Sequence, residues 1–198
     1  MKKITEKEKE EIARKNLLRE GEEISGVAIR GYDFASGPDY GKIVGSFHGS
    51  GFQATNLARA IEIINRMIAE KAKIYFGYTS NIVSSGLRET VKFLVKNKKV
   101  DICVTTGGGI EEDIIKCLGD FILGDFMAKG SDLRARSVNR IGNIFVPNSR
   151  YVKFEKFVMP VLEEIYYEQK SRGKPFTTYE IVWRLGERID DERSICYW

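Results

Sequence analysis

A chain of 198 residues, 42% hydrophobic and 30% charged, is long enough to bury a sizeable core, and its composition is that of an ordinary globular protein without low-complexity tracts or solenoid repeats. The net charge of +4 is spread along the chain, with one local excess at Lys2 and Lys3, which describes a solvated surface and not a nucleic-acid interface. A single histidine, His48, argues against a His-built metal site, and no apolar run is long enough to span a bilayer. Cys103, Cys117 and Cys196 have no paired or CxxC spacing; Cys103 and Cys117 fall in expected core elements. With no signal peptide, this is the pattern of buried reduced thiols in a cytoplasmic protein.

In chain order, Thr5-Glu6-Lys7-Glu8 has capping-box spacing, and Ile12, Leu17 and Leu18 give a sparse apolar face up to Gly21. This predicts a charged helical extension over residues 1–25, ahead of a domain over 26–198. Val27 to Phe47 is glycine-rich and reads as irregular connection with room for one short strand. Gln53 to Glu70 carries Leu57, Ile61, Ile64 and Ile68 on one helical stripe. Lys71 to Gly77 has strand composition and ends in Tyr78-Thr79-Ser80-Asn81, a group of N-cap candidates; Leu87, Val91 and Leu94 then mark a helix. Val100 to Thr105 is a second strand, broken by Thr106-Gly107-Gly108-Gly109. Ile110, Ile114, Ile115 and Leu118 stripe the helix after it, with Glu111, Glu112 and Asp113 expected in its first turn.

Two successive strand-loop-helix units predict an α/β fold, a Rossmann-like parallel sheet with right-handed crossovers and flanking helices. Ligands of such sheets bind outside the carboxyl ends of the strands. Gly119 to Pro147 is long for a connection and reads as functional or interfacial. Within it Asn143 to Val146 is a third strand. Asn148 or Ser149 caps a helix through Phe154, Phe157, Val158, Val161, Leu162 and Ile165, which Pro160 should kink or divide. Thr177 or Thr178 caps a last helix carrying Ile181, Val182 and Leu185. Three parallel strands make half of a doubly wound sheet. The topology therefore allows an incomplete sheet or a small domain closed by its own helices.

Two loops suit a nucleotide. Free N–H groups at a helix start, with the hydroxyls and amide of Ser80, Asn81 and Ser84, suit phosphate oxygens, although helix capping is the simpler account of those residues alone. Glycines at 107–109 let backbone approach a ligand, although a tight turn explains them equally well, and the run is neither GxGxxG nor a P-loop. Glu111, Glu112 and Asp113 fit the helix dipole; facing the cleft instead, they would hold a cation beside the nucleotide. Polyamines are cations of that kind.

The runs Gly51–Ala60, Gly77–Gly86, Val104–Asp113 and Asn139–Asn148 closely resemble deoxyhypusine synthase, as does the tail from Tyr151 through Met159-Pro160 and Arg184-Leu185-Gly186 to Tyr197-Trp198. The resemblance covers the chain from about Val27 onward. It implies a Rossmann-like NAD-binding fold, homotetramers with active sites shared across a dimer interface, and NAD as a catalytic cofactor. It further implies oxidation of spermidine, transfer of the aminobutyl group through an imine on an enzyme lysine, and delivery to one lysine of the translation initiation factor 5A precursor. By matching motifs it places cofactor contacts on Ser80, Asn81, Ile82, Val83, Ser84, Thr106, Gly107 and Gly108. Polyamine contacts fall on Glu111 and Glu112, with Glu112 also near the cofactor.

The family's second half, with its imine-forming lysine, has no counterpart in this sequence. Lys116 and Lys153 fit helix surfaces or packing stems and are not nucleophiles, so no catalytic residue is assigned in this chain. Three expectations follow: the N-terminal part of a split synthase completed by a C-terminal chain, a regulatory paralogue docking on full-length synthase subunits, or a stand-alone NAD- or polyamine-binding module or related enzyme using another amine.

Overall fold

The computed structural model describes residues 4–17 and 21–198, which divide into two compact units between Glu70 and Lys71. Among the described residues no helix is long and apolar enough to cross a membrane.

In the first unit the expected capping box opens α1 (Glu6–Leu17). Thr5 N and Oγ1 donate to the Glu8 carboxylate at 2.7 and 2.8 Å, and Glu8 N donates to Thr5 Oγ1 at 3.3 Å. Leu18, assigned above to the apolar face, lies outside the described residues, as do Lys2 and Lys3. No strand forms between Val27 and Phe47. Asp33 and Asp39 instead accept backbone N–H groups at 3.0 Å, starting a 3₁₀ turn (Phe34–Ser36) and α2 (Tyr40–Ser46). Then α3 (Phe52–Ala69) follows the expected stripe.

The second unit holds the parallel pair. Strands β1 (Tyr75–Tyr78) and β2 (Ile102–Thr105) lie in register from Tyr75 opposite Ile102 to Tyr78 opposite Thr105. Two short helices cross between them, α4 (Ser80–Ser84) and α5 (Arg88–Lys96), where the sequence reads as one. Ser85 breaks the run: its backbone is extended, with ψ 179°, and its hydroxyl accepts the Leu87 N–H at 3.2 Å. Leu87 is thereby left exposed, and Val91 carries the buried stripe with Val83 and Ile195.

After β2 comes α6 (Gly107–Leu118), so the three glycines are the helix's first turn and not a loop. None has positive φ. Close approach is what selects two of them: a Cβ on Gly109 would overlap the Thr105 hydroxyl, and one on Gly108 would lie 3.1 Å from Ser80 Cβ.

The long segment after α6 is ordered into β3 (Ile122–Leu123), α7 (Gly130–Ala135) and β4 (Val138–Ile141), followed by β5 (Ile144–Pro147). The strand expected at Asn143–Val146 does not extend the parallel sheet. As β5 it pairs antiparallel with both β3 and β4, because β4 returns through the two residues Gly142 (φ 58°) and Asn143, a connection too short for a parallel crossover.

Helix α8 (Asn148–Arg172) then runs through Pro160 as one element. Its Val161 and Ile165, packed with Ile114, Leu185 and Ile189, supply burial that offsets the hydrogen bond lost at the proline. Thr177 and Glu180 close a capping box on α9 (Thr178–Glu187), as expected of Thr177. All three cysteines are free thiols. Cys117 and Cys196 are partly buried, whereas Cys103, expected in the core, is exposed, since β2 is uncovered on one side.

Candidate functional site

The site is built by the ends of the two parallel strands. β1 passes through Thr79 (ψ 168°) into α4, and β2 passes through Thr106 (ψ 162°) into α6; neither threonine caps with its side chain. Two helix N-termini therefore emerge from adjacent strand ends, and α4 packs directly on α6. Gly107, exposed, has open space where a Cβ would stand. The Thr105 hydroxyl beneath the glycines is buried without a hydrogen-bond partner among the described residues.

One face of α6 grips α4 twice. The Ser84 hydroxyl donates to the Glu112 carboxylate, and one turn later the Lys116 ammonium donates to the carbonyls of Val83 (2.9 Å), Ser84 (3.4 Å) and Ser85 (3.0 Å). Lys116 thus satisfies carbonyls at the end of α4, and Lys153 donates to the Leu118 carbonyl at 3.2 Å at the end of α6. Both are held as caps. Burial pushes the Lys116 pKa down. Burial likewise raises the Glu112 carboxyl, aided by the charge of Glu111 and opposed by the Ser84 hydrogen bond. Tyr151, at the start of α8, is also raised, by burial and then by the charges of Glu111 and Glu112; it stands near the acidic pair, and only its charged neighbours in space reveal it.

Ser80, Asn81 and Ser84, Thr106, Gly107 and Gly108, and Glu111 and Glu112 come together on this α4–α6 wall. Ile82 is half-buried, and Val83 is fully buried in the core, side chain and backbone alike, with its carbonyl taken by Lys116. The three carboxylates do not act alike, and they lie in the second turn of α6, not the first, because the glycines precede them. Asp113 points away and is fully buried. It accepts Arg88 Nε at 2.7 Å, Ser194 Oγ at 2.6 Å, and the N–H groups of Ile195 and Cys196, each at 2.9 Å. Arg88 also donates to the Asp113 carbonyl at 2.9 Å. Asp113 is therefore a structural anchor, a role invisible in the run Glu111-Glu112-Asp113.

Backbone N–H groups at helix starts, hydroxyls and an open glycine form a cradle for oxyanions, and the carboxylate pair beside it, with Glu112 desolvated, suits an ammonium group. These residues fit a dinucleotide such as NAD next to a cationic amine.

Comparison with known proteins agrees with this geometry. The family model for deoxyhypusine synthase matches residues 42–198. A Drosophila melanogaster protein named as a probable deoxyhypusine synthase is 48% identical over 193 residues, 86% of this chain and 52% of the relative. A Thermococcus onnurineus protein of the same name is 47% identical, over 92% of this chain and 58% of the relative. Homospermidine synthase 2 of Senecio vernalis is 40% identical over 98% of this chain and 60% of its own length. The solved structure of a deoxyhypusine synthase from Entamoeba histolytica superposes with a TM-score of 0.62 at 32% identity, covering 86% of this chain and 58% of the other. The chain spans about half the length of the relatives it matches. The two strand-to-helix turns, the glycine-walled cradle and the family match over more than half the chain lead to one conclusion: this chain belongs to the deoxyhypusine synthase family.

Proposed function

We propose that this chain is the N-terminal polypeptide of an NAD-dependent deoxyhypusine synthase. It would transfer the aminobutyl group of spermidine to a lysine of the translation initiation factor 5A precursor, with the attacking enzyme lysine supplied by another polypeptide of a tetramer-like assembly. In this reading residues 1–25 are an extension and 26–198 the NAD-binding part. The N-terminal amides of α6, with Thr106, Gly107 and Gly108, hold the diphosphate together with Ser80, Asn81 and the backbone of Ile82, and Val83 backs them from the core. NAD held by these residues would supply reversible hydride-transfer chemistry beside the amine. Glu111 and Glu112 hold the ammonium groups of the polyamine. Ser84 fixes the Glu112 carboxylate, and Lys116 fixes Ser84.

One observation carries the reading: a desolvated carboxylate on α6 is tied by the Ser84 hydroxyl to the other strand-end helix, so cation site and anion cradle are one rigid piece. The test is NAD-dependent transfer of label from spermidine to the factor 5A precursor, by the chain with a partner carrying the lysine. Transfer by the pair and none by either chain alone is the expected result; an inactive pair overturns the reading. The homospermidine synthase relatives favour a second reading, in which a free amine replaces the protein lysine as acceptor. Offering both acceptors in one assay separates the two.

A further inference from the structure

We propose that Glu112 takes up the proton that a bound ammonium group must lose before a hydride can leave it, with Ser84 as the positioning residue whose hydroxyl follows the change of charge. This rests on the functional reading above, in which Glu111 and Glu112 hold the amine, and adds a step to one of them.

An ammonium nitrogen has no lone pair. A carbon beside nitrogen releases a hydride only as that lone pair closes the new C=N bond, so a proton must leave first, to a base within hydrogen-bond reach. The step balances. One N–H bond breaks, its electron pair stays on nitrogen, and the proton forms an O–H bond on the Glu112 carboxylate. Ammonium and carboxylate become amine and carboxylic acid, with no net change of charge.

Ser84 supplies what such an acid needs, a partner in both states. Its hydroxyl carries one proton and faces two acceptors, the Ser80 carbonyl at 3.2 Å and the Glu112 carboxylate. Ser84 is buried, so these two compete for that proton. A carboxylate is the stronger acceptor and wins it; a neutral carboxyl loses the advantage, and the hydroxyl turns towards Ser80. The hydroxyl oxygen is then free to accept from the Glu112 acid.

The frame around this rotor is fixed. Lys116, one turn beyond Glu112 on α6, donates to the carbonyls of Val83, Ser84 and Ser85. At the other end of α4, Ser80 packs so closely on α6 that a Cβ on Gly108 would lie 3.1 Å from its own Cβ. Turning the hydroxyl therefore moves neither helix. The surroundings also narrow the gap between proton donor and acceptor. Burial raises the Glu112 carboxyl and the charge of Glu111 adds to it, against the Ser84 bond and the charge of Lys116. The same burial lowers the pKa of an amine. From α8, Tyr151 stands near the pair as a phenol whose own ionisation burial pushes up.

The switch is tested in the full chain without substrate, by carbon-13 spectra. The Glu112 carboxyl and the Ser80 carbonyl should titrate together, with one midpoint above 4.5. Ser84→Ala should silence the Ser80 carbonyl and raise the Glu112 midpoint by about one pH unit, because the ionised form loses the stronger bond. A Ser80 carbonyl that stays silent in the parent chain, or a Glu112 midpoint that Ser84→Ala does not move, overturns the proposal. The proton transfer is tested in the preparation active in the transfer assay, by single-turnover absorbance of reduced nicotinamide at saturating spermidine. Glu112→Gln should slow this step at least about a hundredfold and make it climb about tenfold per pH unit, as the unprotonated amine in solution takes over. A Glu112→Gln rate at saturation within threefold of the parent overturns the base role, since a residue that only binds is compensated by concentration. If no hydride leaves spermidine under any condition, the functional reading fails and the base role with it, while the carbon spectra decide the Ser84 switch by themselves.

Discussion

At the scale of single residues, Glu112 and Asp113 are neighbours in sequence with opposite tasks. Burial raises the Glu112 carboxyl above its ordinary value of 4.5, so between the unfolded and folded values the native state holds the proton more tightly. Glu112 therefore favours folding on the acid side, and that contribution fades as pH rises through the window. Cation binding has the opposite sign, because only the carboxylate attracts an ammonium group. In the proposed assembly, spermidine affinity should rise with pH through a midpoint above 4.5, as followed by calorimetry. Glu112→Gln should flatten that profile and weaken binding about ten- to a hundredfold, the worth of a hydrogen bond to a charged group. Asp113→Asn should instead leave Arg88 buried against a neutral partner and lower stability by about 3–5 kcal/mol in denaturant titration. Charge marked the acidic run in the sequence. It did not reveal Asp113, because direction around the helix matters less in a string of carboxylates than the arginine and backbone amides that meet one of them.

At the scale of elements, the triple glycine shows what local pattern misses. Read along the chain, Gly107-Gly108-Gly109 breaks a strand; in space it begins a helix pressed against Thr105 and Ser80. Gly109→Ala should cost about 1–3 kcal/mol through overpacking. Thr105→Ala introduced with it should recover much of the loss, a coupling visible in a double-mutant cycle of melting curves. At α9 the signal was wholly local: the sequence offered Thr177 or Thr178 as cap, and Thr177 closes a capping box with Glu180. The Thr177 backbone N–H, with Arg172 and the Thr177 hydroxyl, holds the Glu180 carboxyl down at about 2. A lowered carboxyl stabilises above its ordinary value and loses that contribution as pH falls towards the folded one. The Thr177 and Glu180 amide resonances should thus shift with a midpoint at about pH 2 in the folded chain, and Glu180→Gln should abolish that transition. Helical periodicity located α3, α6, α8 and α9. It could not place the α4–α5 break, which one serine hydroxyl makes, nor the continuity of α8 past Pro160, which tertiary burial decides.

At the scale of the whole molecule, the parallel pair and its crossover were legible because strand composition and helix stripes alternate along the chain. The partner of β5 was not, since strand pairing depends on the Gly142 turn and on residues twenty positions upstream. One feature of the second unit reaches across it. The Asp113 carboxylate joins Arg88 of α5, its own helix, and the backbone of residues 194–196, three stretches far apart in the chain. Backbone outside helices and strands ordinarily exchanges its amide hydrogens within moments. Here Ile195 and Cys196, in such a stretch, donate into a fully buried anion. Their deuterium uptake should consequently be as slow as that of Ile115 in the middle of α6, making this irregular stretch a reporter of global opening.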